Sequence, residues 1–196
     1  MKTISGYILS NILGWKIIGN FPNIRKSIII FAPHTSYFDA LYGKLFLNEI
    51  GITHIILAKK ELFFFPMSIL MELYGAIPVR GVKNKNAIYS VSHILEEPQD
   101  LHIILSPEGT RRKVIKWNKG FYYIANKTKV PIVVIFLDYQ KKEIGIKGVI
   151  ESRQNIKSVM SQVNLMYKDV AAMHPEKFSV DLKNVDYETN SSISIR

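Results

Sequence analysis

A chain of 196 residues with 47% hydrophobic content has the material for one core of ordinary size and is not a disordered polymer. It holds no cysteine, which excludes disulfides, thiolate metal sites and a cysteine nucleophile, and suits a reducing cytoplasm. A formal charge of +10 calls for an acidic partner: nucleic acid, an anionic membrane, an acidic carrier protein or a phosphorylated substrate.

In chain order, Ile4, Ile8, Ile12 and Trp15 fall at intervals of four, four and three, flanked by Tyr7 and Leu9. That is helical amphipathicity over residues 1–16. Such a helix either packs on the core or lies in a membrane interface, with Tyr7 and Trp15 at the headgroups. Asn11, Gly14 and Lys16 interrupt it, no A-x-A cleavage pattern follows, and no apolar run reaches the roughly 18 residues of a spanning helix. Gly19-Asn20-Phe21-Pro22-Asn23 reads as a turn.

Residues 27–32 are rich in β-branched isoleucine and too short for a helix, so they read as a buried strand closed by Pro33. A helix follows from Tyr37, ended by Gly51, and residues 54–58 read as a second strand. Phe63, Phe64 and Phe65 stand in a row before Pro66, and three consecutive rings cannot all face one core from a helix; some belong to the surface or a groove. Residues 67–74 form a short helix stopped by Gly75, and residues 76–81 are extended. Residues 85–97 have helical spacing, 101–105 strand character, 120–127 helical spacing. Residues 132–137 are the plainest buried strand, 143–150 alternate like a further one, and Ile156, Val159, Met160, Val163, Met166 and Val170 mark a last helix.

Alternating strands and helices predict a single-domain α/β fold with a mainly parallel sheet covered by helices. The expected division is an N-terminal amphipathic helix and turn over 1–26, a central domain over 27–175 and a polar tail over 176–196.

Two strand-to-helix corners carry chemistry. Pro33-His34-Thr35-Ser36-Tyr37-Phe38-Asp39 places a histidine where catalytic groups of α/β proteins collect. In one helix, five positions amount to about 500°, which turns two side chains apart. With His34 in the loop and Asp39 in the first helical turn they meet, and a carboxylate then orients the imidazole and stabilises its protonated form. The competing reading makes Ser36 and Asp39 a capping box with no chemistry. At the other corner, Ser106-Pro107-Glu108-Gly109-Thr110-Arg111-Arg112-Lys113, the glycine permits a tight turn, and exposed amides with the Arg111 guanidinium suit a phosphate. A solvated basic turn is the plain alternative. Arg80 is a third candidate phosphate ligand. The five histidines form no ligand pair, and no P-loop, G-x-G-x-x-G, nucleophile elbow or nucleic-acid module appears.

His34-x-x-x-x-Asp39, Gly75-Ala76-Ile77-Pro78-Val79-Arg80, Pro107-Glu108-Gly109-Thr110-Arg111 and Val130-Pro131-Ile132 together resemble the four ordered blocks of the glycerolipid acyltransferases. Pro33, Ser106 and Arg112 depart from the residues usual there. The resemblance implies transfer of a fatty acyl group from acyl-ACP or acyl-CoA, with no cofactor or metal, to the hydroxyl of a lysolipid, foremost lysophosphatidic acid. It implies His34 as general base, Asp39 as its orienting partner, and Arg80, Glu108, Gly109, Thr110 and Arg111 as substrate-binding residues. Alternatives are a lyso-aminolipid acceptor and, in another class, a basic nucleic-acid-binding protein without catalysis. A lipid product implies attachment at an anionic membrane surface, on its cytoplasmic face and without spanning it. The candidates for contact are Ile4, Ile8, Ile12, Trp15, Phe63, Phe64 and Phe65.

Overall fold

Strand β2 (Lys26–Ala32) is the axis of the sheet because its side chains serve two cores. Ile28, Ile30 and Ala32 point to one face, Ile29 and Phe31 to the other. Period-two alternation of apolar residues on both faces is the mark of a strand buried between layers. The computed structural model describes residues 3–79 and 85–181.

The remaining strands are β1 (Lys16–Ile18), β3 (His54–Lys59), β4 (Ala76–Val79), β5 (Leu101–Leu105), β6 (Ile132–Asp138) and β7 (Glu143–Ile150). They form one sheet in the order β1-β7-β6-β2-β5-β3-β4. β2 pairs in parallel with β5 and β6, and β5, β3 and β4 continue in parallel. β7 returns antiparallel to β6, and β1 runs parallel to β7. The single-domain, mainly parallel α/β fold expected from the sequence is therefore present.

One face is covered by α1 (Ile4–Tyr7), which widens into a π-helical turn over Ile8–Ile12, and by α2 (Tyr37–Ile50). Leu9, Phe46 and Leu47 fill that core. α2 comes close to β2 because Gly43 has no side chain; a Cβ there would lie 3.2 Å from the Phe31 ring. The other face carries α4 (Lys85–Glu96), α5 (Gly120–Thr128) and α6 (Ile156–Tyr167). The short α3 (Met67–Leu73) buries none of its residues.

Three features depart from the sequence reading. Residues 16–18 form a sheet strand rather than the end of the first helix, which the structure breaks at Leu13 and at Gly14 with φ +71°. Trp15, expected at a membrane interface, is 4% exposed and packs against the rings of Tyr42, tilted, and Tyr139, edge-on. The chain turn after Ile12 carries it off the helical stripe and into the core. Beyond residue 176, Phe178 and Val180 pack against the core, and the Trp117 indole donates to the Ser179 carbonyl at 2.9 Å.

Candidate active site

Because β2, β5 and β6 are parallel neighbours, their C-terminal ends lie side by side at one edge of the sheet. Ligands of open α/β sheets bind at such an edge. His34 follows β2, Glu108 follows β5 and Tyr139 follows β6.

Ser36 begins α2 as its N-cap, accepting from the Phe38 amide at 3.2 Å. Asp39 completes the capping box. Its Oδ2 accepts from the amides of Ser36 at 2.7 Å and Thr35 at 2.5 Å. The same Oδ2 stands 3.8 Å from His34 Nδ1. The two readings of this pair are therefore compatible, since the cap fixes the carboxylate that faces the imidazole. Asp39 is fully buried, and its Oδ1 accepts from the Tyr139 hydroxyl at 2.6 Å.

His34 keeps 27% of its side chain exposed, while its Nδ1 is buried and has no hydrogen-bond partner. Burial lowers its pKa, the Asp39 carboxylate opposes this, and the Arg111 guanidinium adds to the lowering. The ring is thereby held neutral at neutral pH, the form a general base requires.

Glu108 turns toward the His34 backbone. It is buried, and its Oε1 accepts from the His34 main-chain N–H at 2.6 Å. Burial pushes its pKa up to about 7, against the favourable His34 bond and with help from the Asp39 charge. A buried carboxylate held on a backbone amide anchors the His34 loop. Gly109 adopts φ +64°, and its amide donates within the turn to the Ser106 carbonyl at 3.1 Å, so that amide is spent. A Cβ on Gly109 would lie 2.5 Å from Asn118 Nδ2, the group that donates to the Glu108 carbonyl at 3.3 Å. Thr110 Oγ1 accepts from the Arg112 amide at 3.3 Å. The Arg111 guanidinium lies 3.5 Å over the ring of Tyr37, at the start of α2. Its charge is felt by the His34 imidazole. Arg80 lies outside the described residues.

Tyr139 and Asn118 escaped the sequence reading. Tyr139 lies 100 positions from Asp39, so no local spacing marks it. The one available signal was its place, directly after the strand most plainly buried in the sequence.

An acyltransferase family model matches residues 16–138. That range spans more than half of the chain and includes both corners. The chain belongs to the acyltransferase family. A 1-acyl-sn-glycerol-3-phosphate acyltransferase of Cocos nucifera is 29% identical to it over 148 residues, 67% of this chain and 46% of that protein. The chain thus spans about half the length of this relative. Among solved structures, the 1-acyl-sn-glycerophosphate (LPA) acyltransferase PlsC from Thermotoga maritima superposes with a TM-score of 0.54. The match covers 79% of this chain and 68% of that one, at 21% identity, and speaks for the fold.

The acyltransferase also exposes apolar side chains near this edge. Phe64 and Phe65 follow β3, whose C-terminal end shares the edge with β2 and β5, and both are exposed, Phe65 by 83%. Phe63 is half-buried. Ile69, Leu70 and Leu73 extend the patch along α3. Ile4 and Ile12 are exposed and Ile8 half-buried. Among the described residues no helix is long and apolar enough to cross a membrane.

Proposed function

We propose that this acyltransferase moves a fatty acyl group from an acyl thioester to the free hydroxyl of a lysolipid, with lysophosphatidic acid as acceptor. The observation that carries the reading is the buried Asp39 carboxylate 3.8 Å from His34 Nδ1, at the edge where three parallel strands end. The imidazole's other nitrogen, Nε2, takes the proton of the acceptor hydroxyl as its oxygen attacks the thioester carbonyl. Asp39 stabilises the imidazolium so formed. A gap slightly longer than a hydrogen bond is common before substrate binds and closes as charge develops. The tetrahedral intermediate expels the thiolate, which takes the proton back from His34. The products are an ester and a thiol, and no covalent acyl-enzyme is needed. General-base catalysis of this kind contributes about 10²–10⁴ in rate.

Arg111 supports a phosphate-bearing acceptor, because its planar fork suits phosphate oxygens. The thioester is carried by acyl carrier protein or coenzyme A. Since product and acceptor are lipids, the protein sits peripherally on the cytoplasmic face of an anionic membrane, with Phe64, Phe65 and Ile12 in the interface.

The test is an assay of purified protein against a panel of lysolipids with both thioesters. Esterification of lysophosphatidic acid, abolished by His34→Ala at unchanged melting temperature, is the expected result. Equal activity on an aminoacyl or uncharged lysolipid overturns the phosphate assignment. Tight, salt-steep binding to duplex DNA with no transfer from either donor overturns the enzyme assignment.

A further inference from the structure

Outside the sequence blocks that carry the family resemblance, one side chain among the described residues hydrogen-bonds to the proposed catalytic pair. The Tyr139 hydroxyl donates to Asp39 Oδ1 at 2.6 Å. The other oxygen, Oδ2, is held by the Thr35 and Ser36 amides, so the carboxylate is fixed at both oxygens. Tyr139 is itself held on three sides. Its ring meets Trp15 edge-on at 5.2 Å and Tyr42 at 6.1 Å, and its amide donates to the Ala171 carbonyl at 2.9 Å. A hydroxyl with this much support is an aimed donor, not a surface phenol.

We propose that Tyr139 is a positioning residue for acyl transfer, which acts through Asp39 by setting how much carboxylate charge reaches the imidazole of His34. The proposal rests on the assignment of His34 as general base. The physical cause is direct. Every hydrogen bond donated to a carboxylate draws part of its charge away from other neighbours. Oδ2 must both hold the α2 cap and face His34, so the donor on Oδ1 tunes the remainder. Burial and the adjoining carboxylate push the Tyr139 pKa well above its ordinary value, so the hydroxyl stays a donor throughout the working range.

The sign follows. Removing the hydroxyl leaves more negative charge facing His34, which favours the imidazolium and raises the imidazole pKa. The other groups that face His34 are Glu108 on its amide and Arg111 on the same β5 loop. From the C-terminal segment, the His174 amide donates to Thr35 Oγ1 at 3.3 Å, with its imidazole 3.6 Å from Glu176. Glu108 titrates in the same pH range as a histidine, so a rate profile alone does not separate the two.

The decisive experiment is therefore an NMR titration of the five histidines in wild type and Tyr139→Phe, with His34 assigned by its loss in His34→Ala. The His34 midpoint is expected to move up while His54, His93, His102 and His174 stay. On the acid side of the His34 midpoint turnover should fall roughly several-fold, because the raised midpoint leaves fewer neutral imidazoles to take the acceptor's proton, a smaller loss than the ~10²–10⁴ lost with the base itself. In an Asp39→Asn background the same substitution should cost nothing further, because its route is gone. Should Tyr139→Phe fold poorly, 3-fluorotyrosine placed at 139 keeps the ring and strengthens the donor, and the His34 midpoint should then move down. An unmoved midpoint in both variants, or a full additional loss in the Asp39→Asn background, overturns the proposal. If His34→Ala is as active as wild type, the catalytic reading itself has failed. If His34→Ala is inactive while Tyr139→Phe is fully active, only the role of Tyr139 has failed.

Discussion

In the proposed mechanism Asp39 satisfies two demands with one side chain, and the two are separable by substitution. Asn in its place keeps one oxygen for the Thr35 and Ser36 amides and turns its NH₂ toward Tyr139, whose oxygen can accept. The cap survives in weakened form, at about 1 kcal/mol. The charge that stabilises a protonated His34 does not survive. Asp39→Asn is expected to lower the melting temperature by about 2–4 °C, as a loss of that size does in a chain of this length. Turnover should fall by about two orders of magnitude or more. Thermal melts and initial rates check both; intact turnover would leave Asp39 as a cap alone. Glu108 gives a pH test. Its carboxyl is raised from 4.5 to about 7 in the folded chain, chiefly by burial. Between those values the folded state keeps a proton that the unfolded state has lost, so stability falls as pH rises through this window. Each unit is about 1.4 kcal/mol, so the window is worth about 3 kcal/mol. Glu108→Gln carries no such proton. Its stability relative to wild type should climb by roughly that amount from pH 4.5 to 7, measured by urea unfolding. His34, His54 and His102 are shifted down by burial and slope the other way, but both proteins share them. A flat difference would mean that Glu108 is solvated in solution.

At the level of elements, α6 is tied to the sheet by a buried phenol. The Tyr167 hydroxyl donates to the Ile135 carbonyl at 2.6 Å and lies 3.2 Å from that of Ile30, on the two strands that lead to Tyr139 and His34. Tyr167→Phe keeps the ring, packed on Trp117 at 5.4 Å, and strips both carbonyls of a donor. A loss of about 1–3 kcal/mol is expected by denaturant unfolding; no loss would mean that water replaces the hydroxyl. Which elements the sequence reveals follows from how local their causes are. β2, β5 and β6 are runs of β-branched and apolar residues buried on both faces, and such runs announce themselves. The ends of α2 and α3 do too, since Gly51 and Gly75 take left-handed φ values of +66° and +72° at their stops. β1 is three residues long, and its partner decides it: Gly145 on β7 leaves no side chain in the way of Ile18. The direction of β7 is likewise a pairing fact, invisible in its alternation. At the site, His34, Asp39, Glu108 and Arg111 were legible as two corners. That Glu108 turns inward to hold the His34 amide was not, because the bond joins residues 74 positions apart.

For the whole molecule, the distribution of apolar and basic groups matters more than their sum. Arg25 and Lys26 stand at the N-terminal end of β2, opposite the site, and are engaged with Asp100 and the Leu95 and Glu97 carbonyls. They are poorly placed to meet the membrane that the proposed lipid acceptor would bring to the site. Lys59 at the end of β3 with Lys60 beyond it, and Arg112 and Lys113 after β5, are exposed at the site edge instead. Phe64 and Phe65 stand among them. α1 adds a second point of contact. It lies along α2, with Thr3 bonded to Glu49 near one end and Trp15 on Tyr42 nearer the other, so exposed Ile12 falls toward the half of α2 that bears exposed Phe38 and Leu41. A surface with apolar tips ringed by cations fits an anionic bilayer, where each basic residue near the surface adds about 1 kcal/mol and the inserted rings add a part that salt does not screen. Sedimentation with vesicles should accordingly show binding that rises with anionic lipid and is only partly released by high salt. Phe65→Asp with Ile12→Asp should lose most of the salt-resistant part while melting within a few degrees of wild type, since both side chains are exposed and leave no cavity. Replacing Arg112 and Lys113 with Gln should weaken only the salt-sensitive part. If the aspartate pair binds vesicles as wild type does, the apolar contact lies outside these two elements. If it unfolds, those side chains were needed by the core and the interfacial reading of this edge is wrong.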